Sequence, residues 1–442
     1  MDMNDISKSV TVIGAGLAGC EAAWQIAERG IPVDLIEMRP GKSTPAHQTG
    51  GFAELVCSNS LKASRVESAA GLLKEEMRRL GSVLLPVAGK CAVKAGGALA
   101  VDRHLFSQMV TDKIRSHPLI NIIEKEQESI PDGADCISII ATGPLTDGDF
   151  AQSIENICGG RLSFYDAAAP IVTAESIDMN EAFFASRYGR GGDDGYINCP
   201  MNKDQYEMFY HELIHADRAV SHADPSNSDK DPKVFEGCMP VEIMARRGQD
   251  TIRFGPLKPV GLRDPRTGHR PWANLQLRRE DAAGRLYNLV GFQTNLKFGE
   301  QKRVFSMIPA LKNAEYIRYG VMHRNSFINS PQILNAGFSL KSHPKIFFAG
   351  QITGVEGYME SAGSGILAGI NAARTVFGED LLILPPETML GALTRHISSN
   401  PTSDFQPMGA NFGILPPIEP HIRDKKERYK ALAERALGAI KR

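Results

Sequence analysis

Two of the seven cysteines stand where a thiol could do chemistry. Cys57 lies in GGFAELVCSNSLKAS among small and polar residues, with Lys62 and Arg65 close behind. A helix beginning near Ser58 or Ser60 would place this thiol at a positive helix end, a setting that favours thiolate. Cys238 lies in FEGCMPVEIMARRG, between a glycine and Met-Pro, with Arg246 and Arg247 downstream. A proline so close suggests a turn rather than a helix interior. For each thiol the plain alternative is a small buried hydrophobe. Cys20, on the apolar face of the first helix, and Cys136, inside a strand, read as core; Cys91, Cys158 and Cys199 carry no functional signal. The nearest two cysteines are 22 residues apart, which excludes CxxC redox, zinc-ribbon and haem-attachment spacings. No metal is expected.

A second chemistry is written in glycine. Gly14, Gly16 and Gly19 form GxGxxG between the β-branched run VTVI (10–13) and a helical stretch from Leu17 to about Arg29. The first glycine permits a tight turn, the second lets a pyrophosphate approach the backbone, and the third lets the helix pack on its sheet. The helix N-terminus then offers unpaired N–H groups to phosphate. Ala15, Leu17 and Ala18 complete the turn, and Glu37 ends the next strand, VDLIE, where a carboxylate can accept from ribose hydroxyls. The alternative is a purely structural glycine turn. A distant element, KIFFAGQITGVEGYMESAGSGILAGINAAR, repeats the strand–glycine–helix order at 345–374 and favours FAD, whose long body often meets a second helix N-terminus. Gly350, Gln351 and Gly354 are its candidate contacts, with Tyr358 placed near the flavin ring. The plain reading of its glycines and alanines is close helix packing. Only one complete GxGxxG occurs, so a second domain dedicated to NAD(P) is not expected.

Strands ending in glycine at both ends of the chain predict an α/β fold: a Rossmann-like FAD-binding domain, 1–145 plus 330–442, with an inserted α+β domain, 146–329, facing RNA or another substrate. The final stretch, from His421, reads as a solvated amphipathic helix. An acidic N-terminus running straight into a strand lacks the pattern of a signal peptide, and no apolar run approaches the length of a bilayer span. With unclustered cysteines this predicts a cytoplasmic protein and no membrane partner.

The formal net charge of -1 conceals a polarity along the chain. Residues 121–232 carry 21 acidic and 7 basic side chains, a net of -14; residues 233–325 carry 17 basic and 8 acidic, a net of +9. A uniformly basic protein is excluded, whereas a local surface for a polyanion is not. The polar stretch 221–233 between the two reads as an exposed loop. Aromatic residues interleave with the positive stretch, and Phe254, Trp272, Phe292 and Phe298 would be able to stack on a base or a pterin ring. A mixed sheet with charged outer and aromatic inner faces is the competing reading.

Taken together, these segments resemble the family of folate- and FAD-dependent tRNA (uracil-54-C5)-methyltransferases. The resemblance rests on VIGAGLAGCEAAWQIA, TPAHQTGGFAELVCSNSLK, FEGCMPVEIMARRGQDTIRFGPLKPVGL, NLVGFQTNLKFGEQKRVFSMIP, YGVMHRNSFINSP and FFAGQITGVEGYMESAGSGILAGINAAR, spread over about residues 10–374. The two cysteine segments are its distinctive parts. It implies methylation of a uridine in tRNA at C5, in the T-loop, with 5,10-methylenetetrahydrofolate as carbon donor and FAD, reduced by NADH or NADPH, as redox cofactor. Uracil C5 becomes nucleophilic only after a nucleophile adds at C6, and a thiolate both adds and leaves readily. By position in the motifs Cys57 and Cys238 correspond to the family's two functional cysteines. Cys238 is assigned as the nucleophile at C6; Cys57, nearer the flavin core, is assigned to guard the carbon carried on flavin or to remove the C5 proton. His323 and Arg324 are placed against folate or RNA. Other readings remain: the same chemistry on ribosomal RNA, a small-molecule FAD oxidoreductase without RNA, or a non-catalytic RNA-binding flavoprotein.

Overall fold

A computed structural model of the protein describes residues 9–131, 136–160, 162–189, 195–219, 239–281, 283–399 and 405–440, with backbone alone at 162–167, 323 and 324. The VTVI run is strand β1 (Val10–Ile13), followed by helix α1 (Leu17–Ala27) and strand β2 (Val33–Glu37). Between β2 and the next strand of the same sheet, β3 (Ser60–Ala63), β4 (Ala92–Val93) and β5 (Ala98–Val101) form a small antiparallel sheet. Helices α2 (Ala69–Arg79), α3 (Leu84–Lys90) and α4 (Arg103–Arg115) accompany it. β6 (Ile120–Glu124), β7 (Ile137–Ile140) and a strand from near the other end of the chain, Ile346–Phe348, complete a five-stranded parallel sheet. Val12 stands opposite Leu35 on one side and Ile139 on the other. Such strands are apolar throughout because helices cover both faces. Cys136 stands just before β7 and is half-buried, rather than inside the strand.

Helix α5 (Gly148–Cys158) follows, and then β8 (Leu162–Ala167). The chain between them and the return strand forms a six-stranded antiparallel sheet of β9 (Ile171–Thr173), β10 (Phe183–Phe184), β11 (Tyr196–Met201), β12 (Ala273–Arg279), β13 (Leu286–Leu289) and β14 (Tyr316–Arg318), in the order β10-β11-β12-β13-β9-β14. Helices α6 (Lys203–His215), α7 (Val241–Arg246), α8 (Thr251–Phe254) and α9 (Phe298–Phe305) belong to this part of the chain. The return strand β15 (Met322–Phe327) pairs antiparallel with β8 as a separate ribbon. After α10 (Ser330–Ile333) and the last parallel strand, β16 (Ile346–Phe348), come α11 (Tyr358–Val376), α12 (Met389–Ser399) and α13 (Lys425–Ala439). α13 buries Leu432, Ala433 and Ala436 and leaves its charged face outward.

Among the described residues two large hydrophobic cores result, beside a small cluster of Val93, Ala95 and Ala100. One joins the parallel sheet to α1, α5, α11 and α12; the other lies under the six-stranded sheet, around Leu275, Leu277, Phe209 and Phe305. Helices α1 and α11 lie almost backbone to backbone. A methyl group on Gly365 would come within 2.1 Å of the Ala18 carbonyl oxygen, so only glycine permits the approach. No described helix is long and apolar enough to cross a membrane.

Two buried carboxylates pin helix starts to this core. Glu21 accepts from the N–H groups of Val83 (3.0 Å) and Leu84 (3.2 Å), and Glu76 accepts from those of Met389 (2.7 Å) and Leu390 (2.9 Å). Burial pushes each up to about 7, with these hydrogen bonds opposing the shift. Both groups bind a proton more tightly folded than unfolded. Their contribution is therefore most favourable below the ordinary value of 4.5 and is lost as pH rises through about 7. Denaturant titrations between pH 4.5 and pH 8 should show a shallower fall of stability with pH in Glu76→Gln than in the parent; equal slopes would remove Glu76 as a source.

Candidate active site

The C-terminal ends of the parallel strands open into a cleft spanning about 1200 Å³ of empty space, part of it open to solvent. Gly14, Gly16, Leu17, Ala18, Glu37, Gly350, Gln351 and Tyr358 line it, so most of the expected dinucleotide contacts meet on one surface. Ala15, Gly19 and Gly354 do not. Ala15 is buried, and its N–H donates to Glu37 Oε2 at 2.7 Å. A methyl on Gly19 would lie 1.7 Å from the Gly14 carbonyl oxygen, whereas one on Gly16 would meet nothing within 4 Å. The middle glycine thus faces open space at the start of α1, the position at which a pyrophosphate would approach. Gly354, with φ of +83°, turns the chain against the Phe405 ring.

Glu37 does not stand alone. Its Oε1 accepts from the Arg39 backbone N–H (3.0 Å) and from Arg39 Nε (2.9 Å). Burial works to raise this carboxyl, but the Arg39 hydrogen bonds and charge, with the Ala15 N–H, hold it below its ordinary value. Arg39 also reaches Glu54 at 3.4 Å. His47, in the same wall, is pushed down to about 4 by burial and then by Arg39, so its ring is neutral at pH 7.

Cys57 sits beside this cleft, half-buried. The expected helix near Ser58 or Ser60 does not form: residues 57–59 are irregular and Ser60–Ala63 is β3, paired with β5. What holds the thiol is a set of side chains from distant elements. The Tyr358 hydroxyl, on the first residue of α11, accepts from the N–H of Cys57 (2.7 Å) and of Ser58 (3.0 Å). Burial, and next the neighbouring Cys57, push this phenol above its ordinary value, so it keeps its proton. Arg278 donates to Ser58 Oγ (2.7 Å) and Asn59 Oδ1 (2.9 Å), and Arg318 donates to the Val56 carbonyl. Asn59 Nδ2 donates to the carbonyls of Val101 (3.0 Å) and Arg279 (2.9 Å). Arg103, the first residue of α4, pairs with Glu280 at 2.7 Å. All three guanidiniums act electrostatically on Cys57. Glu280 is the carboxylate they share, paired with Arg103 and 4.0 Å from Arg278, so these named groups carry an excess of positive charge. Such a field stabilises a nucleophilic or departing sulfur.

The chain matches the family model described as glucose inhibited division protein A over residues 9–380. It belongs to this family. A protein named methylenetetrahydrofolate–tRNA-(uracil-5-)-methyltransferase TrmFO from Desulfitobacterium hafniense (strain Y51) is 58% identical over 433 residues, covering 98% of this chain and 97% of that protein. One of the same name from Listeria monocytogenes (serotype 4b, strain F2365) is 56% identical over 438 residues, covering 99% of each. Among solved structures, Aquifex aeolicus GidA in its form II crystal aligns with a TM-score of 0.68 at 15% identity, over 98% of this chain and 73% of that one. This last likeness establishes the fold, an α/β Rossmann-type architecture carrying an inserted unit.

The second cysteine expected from the family motifs, Cys238, lies outside the described residues, as does the stretch 221–233. Its flanks are fixed on one stretch. The Ala219 N–H donates to the Asn295 carbonyl and the Val241 N–H to the Gln293 carbonyl, each at 2.7 Å. Buried Glu242 reinforces the second flank by accepting from Asn295 N–H (2.8 Å) and Thr294 Oγ1 (2.9 Å). His323 and Arg324 lie on β15, their side chains outside what is described. Phe292 cannot stack on a ligand: it is fully buried between Phe209 and Phe305. Phe254, Trp272 and Phe298 are exposed by 70%, 39% and 55%.

The residues that sequence reading missed are Arg39, Asn59, Arg103 and Glu280. Arg278 and Arg318 stood within segments read as basic, with no sign that they turn inward. If the guanidiniums set the reactivity of Cys57, Arg318→Met should slow its alkylation by iodoacetamide at pH 7 roughly tenfold, followed by mass spectrometry. Arg318→Lys should retain most of the rate, and an unchanged Arg318→Met rate would remove the electrostatic role.

Proposed function

We infer that this chain methylates C5 of a uridine in tRNA, taking its carbon from 5,10-methylenetetrahydrofolate and its electrons from NAD(P)H through FAD. The observation that carries the reading is near-complete coverage at 58% identity by a protein named for that reaction. A half-buried cysteine beside a dinucleotide cleft, in a loop whose residues 56, 58 and 59 are held by arginines, gives it a physical counterpart. The target within tRNA is uridine 54 of the T-loop.

The cleft suits FAD. Its open side at Gly16 and the start of α1 would receive the pyrophosphate, with Gly14, Ala15, Leu17, Ala18 and Gly19 shaping the turn and Glu37, braced by Arg39, facing the ribose. Gly350, Gln351 and Tyr358 would hold the flavin half, with Gly354 turning the chain behind them. When bound, the reduced flavin supplies electrons and relays the one-carbon unit from folate. The chain's own part is to activate and align the base. Cys238 adds to uracil C6, giving an enolate whose C5 attacks the formaldehyde-level carbon; the C5 proton is then lost, the carbon's bond to its carrier breaks, a hydride drawn from NAD(P)H brings it to methyl, and departure of the thiolate restores the ring. Cys57, with Tyr358 at its backbone, serves at the flavin side, as guard of the transferred carbon or as acceptor of the C5 proton.

Two units would share this work, 1–145 with 330–442 and 146–329. Packing of Phe150, Ile154 and Cys158 in the first core supports a crossing at the β8–β15 ribbon, slightly inside those limits. The enzyme is placed in the cytoplasm.

Purified FAD-loaded protein given unmodified tRNA, NAD(P)H and labelled methylenetetrahydrofolate should place label in 5-methyluridine. A transcript with cytidine at position 54 should receive none. Absence of label from a folded, yellow protein would defeat the assignment, and label in ribosomal RNA alone would move the target. Cys238→Ala should abolish transfer with FAD retained; an active variant would strip that thiol of its role.

A further inference from the structure

Three aromatic rings on the inserted unit form a continuous stack with an open end. Phe298 and Tyr319 lie 4.8 Å apart with planes 16° from parallel, and Tyr319 and Tyr316 lie 5.2 Å apart at 9°. The buried Phe292–Phe305 pair of the adjoining core instead meets edge to face, at 61°. The end ring, Phe298, is more than half exposed, and Ile317 beside the stack is exposed by 62%. Tyr316 and Tyr319 form one wall of a surface depression whose rim carries Lys302, Lys312, Ser306 and Asn313, with Glu315 as its acid. Lys302 and Lys312 are both exposed. The nearby Lys297 and Arg303 are instead paired with Asp217 and with Glu212 and Glu300.

The stack also stands in a telling place. Phe298 follows Lys297, whose N–H donates to the Asp217 carbonyl at 3.0 Å, in the stretch that anchors both flanks of the Cys238 segment. Between Tyr316 and Tyr319 comes Arg318, which donates to the Val56 carbonyl next to Cys57. The ladder is thus next in the chain both to that anchor and to the arginine that holds the Cys57 loop.

An enzyme acting on C5 of a loop uridine must take the base out of its stack, which leaves neighbouring bases without a partner. Unstacked RNA bases are recognised by stacking on aromatic side chains, and the surrounding phosphates by lysine or arginine. We propose that the Phe298–Tyr319–Tyr316 ladder is a stacking platform for an unpaired base of the RNA substrate, with Lys302 and Lys312 meeting its phosphates. This rests on the tRNA reading above and adds the surface on which the RNA is held.

The test uses full-length, FAD-loaded protein and unmodified tRNA, with affinity read by fluorescence anisotropy over a salt series. Phe298→Ala should weaken binding roughly tenfold, the order expected for loss of one base–aromatic stack, and raise the KM for tRNA. FAD content and the alkylation rate of Cys57 should not move. Phe298→Trp, which keeps a stacking face, should bind like the parent. Replacing Lys302 and Lys312 together by Gln should reduce the slope of log affinity against log salt by about 1 to 2. A Phe298→Ala protein with parental tRNA affinity, beside a parent that binds and methylates tRNA, overturns the platform alone. A change of oligomeric state in Phe298→Ala with tRNA affinity intact overturns it in favour of a protein interface. A parent that neither binds nor methylates tRNA removes the substrate reading and the platform with it.

Discussion

The loop from Val56 to Asn59 is held by Arg278 of the six-stranded sheet, and much of the candidate site depends on that grip. Arg278 is 8% exposed, and a guanidinium so deeply placed is tolerated only when its N–H groups find acceptors. Ser58 Oγ and Asn59 Oδ1 provide them, while Asn59 Nδ2 returns the tie to the Arg279 carbonyl. The loop belongs to the half of the chain that carries the dinucleotide cleft, and the arginine belongs to the six-stranded sheet. A hydrogen-bonded buried charge thus joins two separate hydrophobic cores at the two residues that follow the thiol. Removing one member would leave the others buried and unsatisfied, at a cost of about 3–5 kcal/mol for a broken buried charge network. That makes the geometry around Cys57 stiff as well as positive.

A second constraint fixes the distance from phosphate cradle to thiol. Because Gly365 lets α11 lie against Ala18, helices α1 and α11 behave as one packed block. The start of α1 carries Gly16, and the start of α11 carries Tyr358, whose hydroxyl holds the backbone of Cys57. One helix contact therefore sets how far a cofactor extending from the cradle must reach to meet the sulfur. The glycine- and alanine-rich sequence after β16 supports both readings open at the sequence level, since it lines the cleft and also packs closely.

Legibility followed the range of the interaction concerned. The glycine turn, the strand on either side and the acid at its end follow from local backbone requirements, so their residues appear at fixed spacing and can be read directly. The Cys57 environment brings together residues 59, 103, 278, 318 and 358, and no spacing announces such a meeting. Local cues even misled: the Ser-Asn-Ser run after Cys57 resembles a helix start, but pairing of β3 with β5 prevails, with Lys62 at a φ of +62°. Phe292 sits in a charged stretch, where the pattern offers it to a ligand. The core beneath the six-stranded sheet claims it, because Phe209 and Phe305 bury its ring from both sides.

The positive stretch needs the same care. Its net of +9 counts residues that RNA would never meet. Arg278 and Arg318 turn inward to the Cys57 loop, Arg266 is held by Asp264 at 2.7 Å, and Arg253 by Asp250 at 2.7 Å. Arg303 is shared between Glu212 and Glu300. Composition therefore overstates the charge presented outward, and an RNA held by the residue would release fewer counterions than the count of basic residues suggests. A surface short of phosphate contacts needs another source of affinity, and parallel rings with an exposed face supply one that does not weaken steeply with salt. On this view the segment divides its labour by burial: inward arginines serve the thiol, outward lysines serve the backbone of the RNA, and the aromatic ladder serves its bases.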